Sequence, residues 1–241
     1  FNQIQKVTYL HLHPSEYHKQ IPTTMITSEK STIHQIEKIG AIAGIISILM
    51  YFSAAAMSFL PDMVSRLFGF TFPLLWIISF MGLYRFLRRG YHTPTLDIAY
   101  LFGIIGAAIA CSFIVVQQAN FMWHATAMES AGTEEAKALI KAAFRGANRV
   151  QAGLDVAFDI FICVSWILFG LNIAKSKRFN KILGWSGSLI ASTLLVLNMS
   201  TFPNSPAESG LIDLGPFLGL WALVFYIWFT IVLFKKPGTQ E

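Results

Sequence analysis

Charge is scarce in this sequence. Only 13% of its 241 residues are Asp, Glu, Lys or Arg, against about 25% in an ordinary soluble domain. With 54% hydrophobic residues and a mean hydropathy of +0.55, that shortage excludes a soluble fold around one large core and points to a bilayer. Cysteine is scarcer still. Cys111 and Cys163 both lie in apolar runs, where a thiol behaves as a small hydrophobe, so no disulfide scaffold follows. There is no Walker loop, dinucleotide fingerprint, HExxH or CxxC, so nothing points to nucleotide or zinc-hydrolase chemistry. The formal charge of +5 does not mark a nucleic-acid partner, because the basic residues sit in short loops between apolar runs.

What is present is length. Six runs reach the roughly 17 to 25 apolar residues that a spanning helix needs: Ile39–Leu60, Phe70–Leu87, Leu96–Ala119, Gly153–Ala174, Ile182–Phe202 and Leu214–Phe234. Its 21 Phe and 6 Trp suit lipid-facing surfaces and interfacial belts. The expected fold is all-α: a polytopic membrane protein, a bundle of six transmembrane helices. Residues 1–35 would form a disordered N-terminal tail, 36–234 the membrane domain and 235–241 a short C-terminal tail. Residues 1–24 lack the apolar stretch of a signal peptide, and the natural start is expected at Met25. His11, His13 and His18 make a small His-rich tract whose plainest reading is a disordered or untranslated leader.

Loop charges set the orientation. Arg85, Arg88 and Arg89 follow the second run; Lys175, Lys177, Arg178 and Lys181 follow the fourth; Lys235 and Lys236 follow the sixth. The two short opposite loops hold little beyond Asp62, Arg66, Glu208 and Asp213, and the long, charged segment between the third and fourth runs is the exception. The positive-inside rule places both termini in the cytoplasm, with the protein in a cell inner membrane. Between the third and fourth runs, Thr133 is a plausible N-cap, with Glu134 and Glu135 in the first turn. Leu139, Ile140, Phe144, Ala147 and Val150 then recur at helical spacing, with Lys137, Lys141, Arg145 and Arg149 on the other face. This amphipathic external helix either lies on the headgroups or runs straight into the fourth span.

Gly40 and Gly44, Gly215 and Gly219, and the small residues Gly103, Gly106, Ala107 and Ala110 permit close helix approach. The first and fifth spans both end in an aromatic–Pro turn, each followed by Pro and Trp early in the next span (Pro73 and Trp76; Pro216 and Trp221). Shared bilayer constraints are the favoured reading of that likeness, with common descent of the two hairpins as the alternative.

The residues that invite chemistry are two acids in the fourth span. Asp155 and Asp159 lie one helical turn apart, and a carboxylate in hydrocarbon costs several kcal/mol unless it is paired, protonated or facing water. Gln151 extends their stripe. Gln117, Asn120 and His124 share a face at the outward end of the third span, and Asn198 closes the fifth. Arg149 is the expected pairing partner of the acids. The arrangement admits an outward-facing polar pocket between helices 3, 4 and 5, or a hydrogen-bond network that fixes their register. His124, Asp155, Asp159 and Glu208 could supply ligands to zinc or iron, but no metal-site spacing supports this, so neither metal nor cofactor is expected. The stretch 198–217 reads as a re-entrant lid or as an external turn, and Pro203, Pro206 and Gly210 favour the turn.

A Gly-rich first helix, a long external region before the fourth span and a basic turn leading into Lys181-Ile182-Leu183-Gly184-Trp185 together resemble bacterial six-helix inner-membrane families of unknown function. The resemblance covers Glu37 to Phe234 and implies a fold and no activity. The expected role is non-enzymatic binding, sensing or transport of a small molecule, ion or lipid, with the bilayer as the other partner. The rival is a membrane-embedded enzyme on a lipidic substrate, with Asp155 or Asp159 as general acid and His124 as base. A third is a structural or accessory subunit.

Overall fold

The computed structural model describes residues 23–56 and 62–235, with side chains from residue 34 to 54 and from 62 onward. Every regular element among them is helical: α1 (Thr23–Ala56), α2 (Asp62–Arg88), α3 (Pro94–Ser130), α4 (Glu134–Lys175), α5 (Lys181–Thr201) and α6 (Gly215–Phe234). All six are long and apolar enough to cross a bilayer, and the chain is a multi-pass integral membrane protein. α1 begins at Thr23, inside the stretch read from sequence as a tail. The tract of His11, His13 and His18 lies outside the described residues.

Three helix starts have a side-chain N-cap, and at a fourth the residue before the N-cap, Asp213, takes that part. Thr93 accepts from the amide of Leu96 at 3.3 Å, Thr133 from Ala136 at 3.1 Å, Asn180 from Ile182 at 2.9 Å and Asp213 from Gly215 at 2.8 Å. Each satisfies an amide that the first helical turn leaves without a partner. Thr133 thus does what its sequence context implies, and of the two readings of the helix that it starts the continuous one holds. The amphipathic stretch runs without a break into the fourth span. α3 and α4 have 37 and 42 residues, about 55 and 63 Å at the standard rise, against a hydrocarbon layer of about 30 Å. They form an antiparallel hairpin that extends well beyond the bilayer.

Each helix packs on the next in sequence, and α6 returns to α1, so the six form a closed circuit. Alternating chain direction puts the start of α1 and the end of α6 at one end, here called the base. There Lys38 sits 4.8 Å above the ring of Phe234 and Arg178 5.0 Å above that of Phe86. Two crossings near the base are backbone on backbone. A methyl group added to Gly40 would come 2.6 Å from Cα of Gly82, and one added to Gly170 would come 2.6 Å from the carbonyl oxygen of Gly184. No side chain fits at either place, so glycine is required there for packing.

Aromatic side chains fill the interior of the circuit. Trp166, Phe80, Phe169, Phe225, Tyr226 and Phe229 are all buried. Trp166 meets Trp221 edge to face at 5.2 Å, and Tyr226 shares a 2.9 Å hydrogen bond with Ser79. Of the buried polar groups at the base, Asn172 is the most fully engaged among the described residues. The Asn172 amide donates to the Leu168 carbonyl and to Thr95, and its oxygen accepts from Thr93. Tyr91 donates to its backbone carbonyl, and burial pushes the Tyr91 phenol up to about 12, so this donor keeps its proton at any physiological pH. Glu37, fully buried on α1, makes an ion pair with Arg89 beyond α2, and His34 lies 3.6 Å away. Outward-facing Leu189 and Val196 are mostly exposed, as lipid contact requires.

Two outcomes follow. Gly184→Val should lower the yield of monodisperse protein in detergent and cost about 1–3 kcal/mol, while Gly153→Ala, where an added methyl group meets nothing within 4 Å, should be neutral or stabilising by up to about 1 kcal/mol; equal melting curves for the two variants would refute the crossing. Arg89→Gln leaves Glu37 buried without its cation and should cost about 3 kcal/mol. The exposed Arg88→Gln should shift the melting temperature little, and a shift as large as that of Arg89→Gln would refute the ion pair.

Candidate functional site

At the hairpin end the circuit is not filled. A cavity of about 240 Å³ lies there with walls from all six helices, not from α3, α4 and α5 alone as the sequence pattern had placed it. α4 supplies a ladder of Gln151, Asp155 and Asp159. Four-residue spacing keeps them on one face and spreads them over about 12 Å of helix. Gln117 faces them from α3, and Asp213 reaches the same space from the segment just before α6. The three carboxylates lie within reach of one another's charge. No basic side chain lines the cavity.

The remaining wall is aromatic. Trp76 of α2 stacks on Phe158 of α4, centroids 5.9 Å apart and planes 10° from parallel. Phe72 meets Trp76 edge to face at 5.2 Å, and Tyr51 of α1 lies 5.4 Å from Phe72. Trp166 and Leu194 also reach the cavity. Its polar groups are poorly satisfied. Asp159 accepts one hydrogen bond, from the Asn198 amide at 2.7 Å, and Asp213 is occupied with its cap on Gly215. Trp76 is 6% exposed, and its indole N–H has no acceptor among the described residues.

The structure therefore brings together Asp155, Asp159, Gln117 and Gln151, with Asn198 behind Asp159. It separates three other candidates from them. Asn120 donates to the Asn148 side chain at 2.8 Å and to the Phe144 carbonyl, which ties α3 to α4 beyond the cavity. His124 lies against the ring of Phe144 at 4.3 Å and faces a separate shallow depression with Asp62 and Arg66. Both follow from the straight run of α3: its polar face continues along the hairpin after the cavity has ended. His124 is thus not assembled with Asp155 or Asp159 as an acid–base pair.

Arg149 does not pair with the acids. It is exposed, and the ion pairs among the described residues do not include it. At about 100° of helical rotation per residue, it stands on a different face from Asp155 and Asp159. The metal grouping imagined for His124, Asp155, Asp159 and Glu208 is not formed either: no cluster of three or more such side chains among the described residues could hold an ion. Of the 202–214 loop only Asp213 reaches the cavity. The rest closes on itself, with Ser205 and Glu208 capping each other at 3.2 Å and the Leu211 amide donating to the Pro206 carbonyl. It is an external turn and no lid.

Sequence reasoning missed Asp213, Tyr51 and Trp76. Asp213 did carry a signal, since Asp-Leu-Gly-Pro is a helix-start pattern next to the sixth span at the same membrane level as Asp155. Tyr51 and Trp76 carried none, because interior and lipid-facing aromatics look alike in an apolar run.

No curated protein and no solved structure matches the chain. Residues 63–234, from the start of α2 to the end of α6, match a family described as a domain of unknown function. The match covers more than half of the chain and includes the three cavity aspartates, in keeping with the resemblance to uncharacterised families. The chain belongs to the DUF4386 family.

Proposed function

We propose that the protein is a non-enzymatic solute-binding protein of the cell inner membrane, a six-helix bundle whose acidic cavity opens away from the cytoplasm and selects positive charge. One observation carries the reading: Asp155, Asp159 and Asp213 converge on one cavity lined by no basic side chain. Carboxylates at such a depth cost several kcal/mol when uncompensated, and a structural network would compensate them from within. Here Asp155 has no hydrogen-bond partner among the described residues and Asp159 has one. A site that waits for an external cation accounts for the imbalance. Binding is the primary act. The glycine crossings at the base narrow the circuit below the cavity, so sensing needs only occupancy, whereas transport needs those crossings to move.

The orientation rests on charge. Arg85, Arg88, Arg89, Lys175, Lys177, Arg178 and Lys181 gather at the base, and the positive-inside rule assigns that end to the cytoplasm.

Asp155→Asn and Asp159→Asn preserve shape while removing charge. If the acids serve a ligand, each should raise thermal stability of the ligand-free protein by about 0.5–2 kcal/mol, as relief of a strained functional site does. Melting temperatures lowered as far as by Asn172→Ala would instead make the acids part of a structural network and end the proposal. In a Cys111→Ser background, Ala207→Cys should react with a membrane-impermeant maleimide on intact cells and Arg178→Cys should not. The reverse pattern would turn the cavity toward the cytoplasm.

A further inference from the structure

The walls of the cavity specify its occupant more narrowly than charge alone. We propose that it takes a small organic cation bearing a hydrogen-bond acceptor, of the amino-alcohol class and its N-methylated forms. This rests on the reading above that the cavity holds a solute.

An inorganic ion would leave most of the site unused. Hard cations need several oxygens at about 2.0–2.6 Å, and no three acidic, histidine or cysteine side chains among the described residues are grouped closely enough to supply them. A third of the lining residues, six of eighteen, are instead aromatic. Tyr51, Phe72, Trp76 and Phe158 pack in stacked and edge-to-face pairs at 5.2–5.9 Å, and all four line the cavity. A ring face carries partial negative charge and attracts an ammonium group, methylated ones included, because such cations give up their water readily. Carboxylates on α4 and aromatics on α1 and α2 together form a lining suited to a charge with an apolar skin.

The second specification comes from Trp76. Trp76 lines the cavity, and its indole N–H is buried with no acceptor among the described residues; a buried donor left unmade costs about 1–3 kcal/mol. An occupant with a hydroxyl or carbonyl oxygen would satisfy it while its ammonium end meets Asp155 and Asp159. Size sets the third limit. A volume near 240 Å³ corresponds to roughly eight waters at about 30 Å³ each, below the range of about 300–1,000 Å³ typical of drug-sized ligands. That admits a molecule of a few heavy atoms and excludes a lipid with its chains.

The test uses purified full-length protein in detergent, read by tryptophan fluorescence and thermal shift. The probes are choline, ethanolamine, tetramethylammonium, sodium chloride and 3,3-dimethylbutan-1-ol, the uncharged isostere of choline. Choline or ethanolamine should bind saturably, and the isostere should bind at least about tenfold more weakly, since it cannot use the carboxylates. Trp76→Phe keeps an aromatic ring and should weaken choline about fivefold more than it weakens tetramethylammonium, the value of one hydrogen bond. An isostere that binds as well as choline overturns the proposal. So does saturable binding of sodium that Asp159→Asn abolishes while no organic cation binds; that result would keep the cavity as a cation site and reject only the organic occupant. If no probe binds and the aspartate variants are also destabilised, the solute-binding reading falls with it.

Discussion

Where this molecule is narrow and where it is open both follow from close backbone contact at its base. In a bilayer there is little hydrophobic force to drive helices together, so close packing must supply the attraction. Gly40 against Gly82 and Gly170 against Gly184 let α1 meet α2, and α4 meet α5, without intervening side chains. Toward the other end, the residues that face inward are Tyr51, Phe72, Trp76, Phe113 and Phe158. Rings also pack at the base, where Phe86, Phe179 and Phe229 meet one another; at the hairpin end they leave space unfilled, and all six helices border it.

The same geometry determines how far the sequence could be read. Hydropathy located every span, because twenty apolar residues with few charges have one physical explanation. It misjudged extent where helices leave the lipid. Beyond Ala119 and before Gly153 the chain ceases to be apolar yet remains a good helix former, and the two stretches support each other as an antiparallel pair through contacts such as Asn120 with Asn148. Helical period carried the stripe of Gln151, Asp155 and Asp159 correctly, since it is a property of one helix. Closeness in sequence misled at Arg149, where a few residues of separation put the guanidinium on another face. The circuit of neighbours was out of reach, because six similar helices can be ordered in many ways. Trp76 and Tyr51 joined the acids only through that circuit.

Two polar centres in the protein show the difference between a group that holds structure and one that awaits a partner. Asn172 is buried at the base, and its side chain donates twice and accepts once, all within the chain. Nothing is left for an outside molecule, and the residue joins α4 to the start of α3. The cavity has the opposite character. Five polar side chains border it, and the described residues offer Asp159 one donor and Asp155 none. Both centres face the same physics, in which an unmet polar group in a low dielectric is costly. A fold able to satisfy Asn172 so completely has the means to satisfy its acids, for instance with any of the arginines that it keeps exposed on α4. The unmet state of Asp155, Asp159 and the Trp76 indole is therefore a property of the site, and the groups left unmet describe its occupant: positive where the acids are, accepting where the indole is, and small.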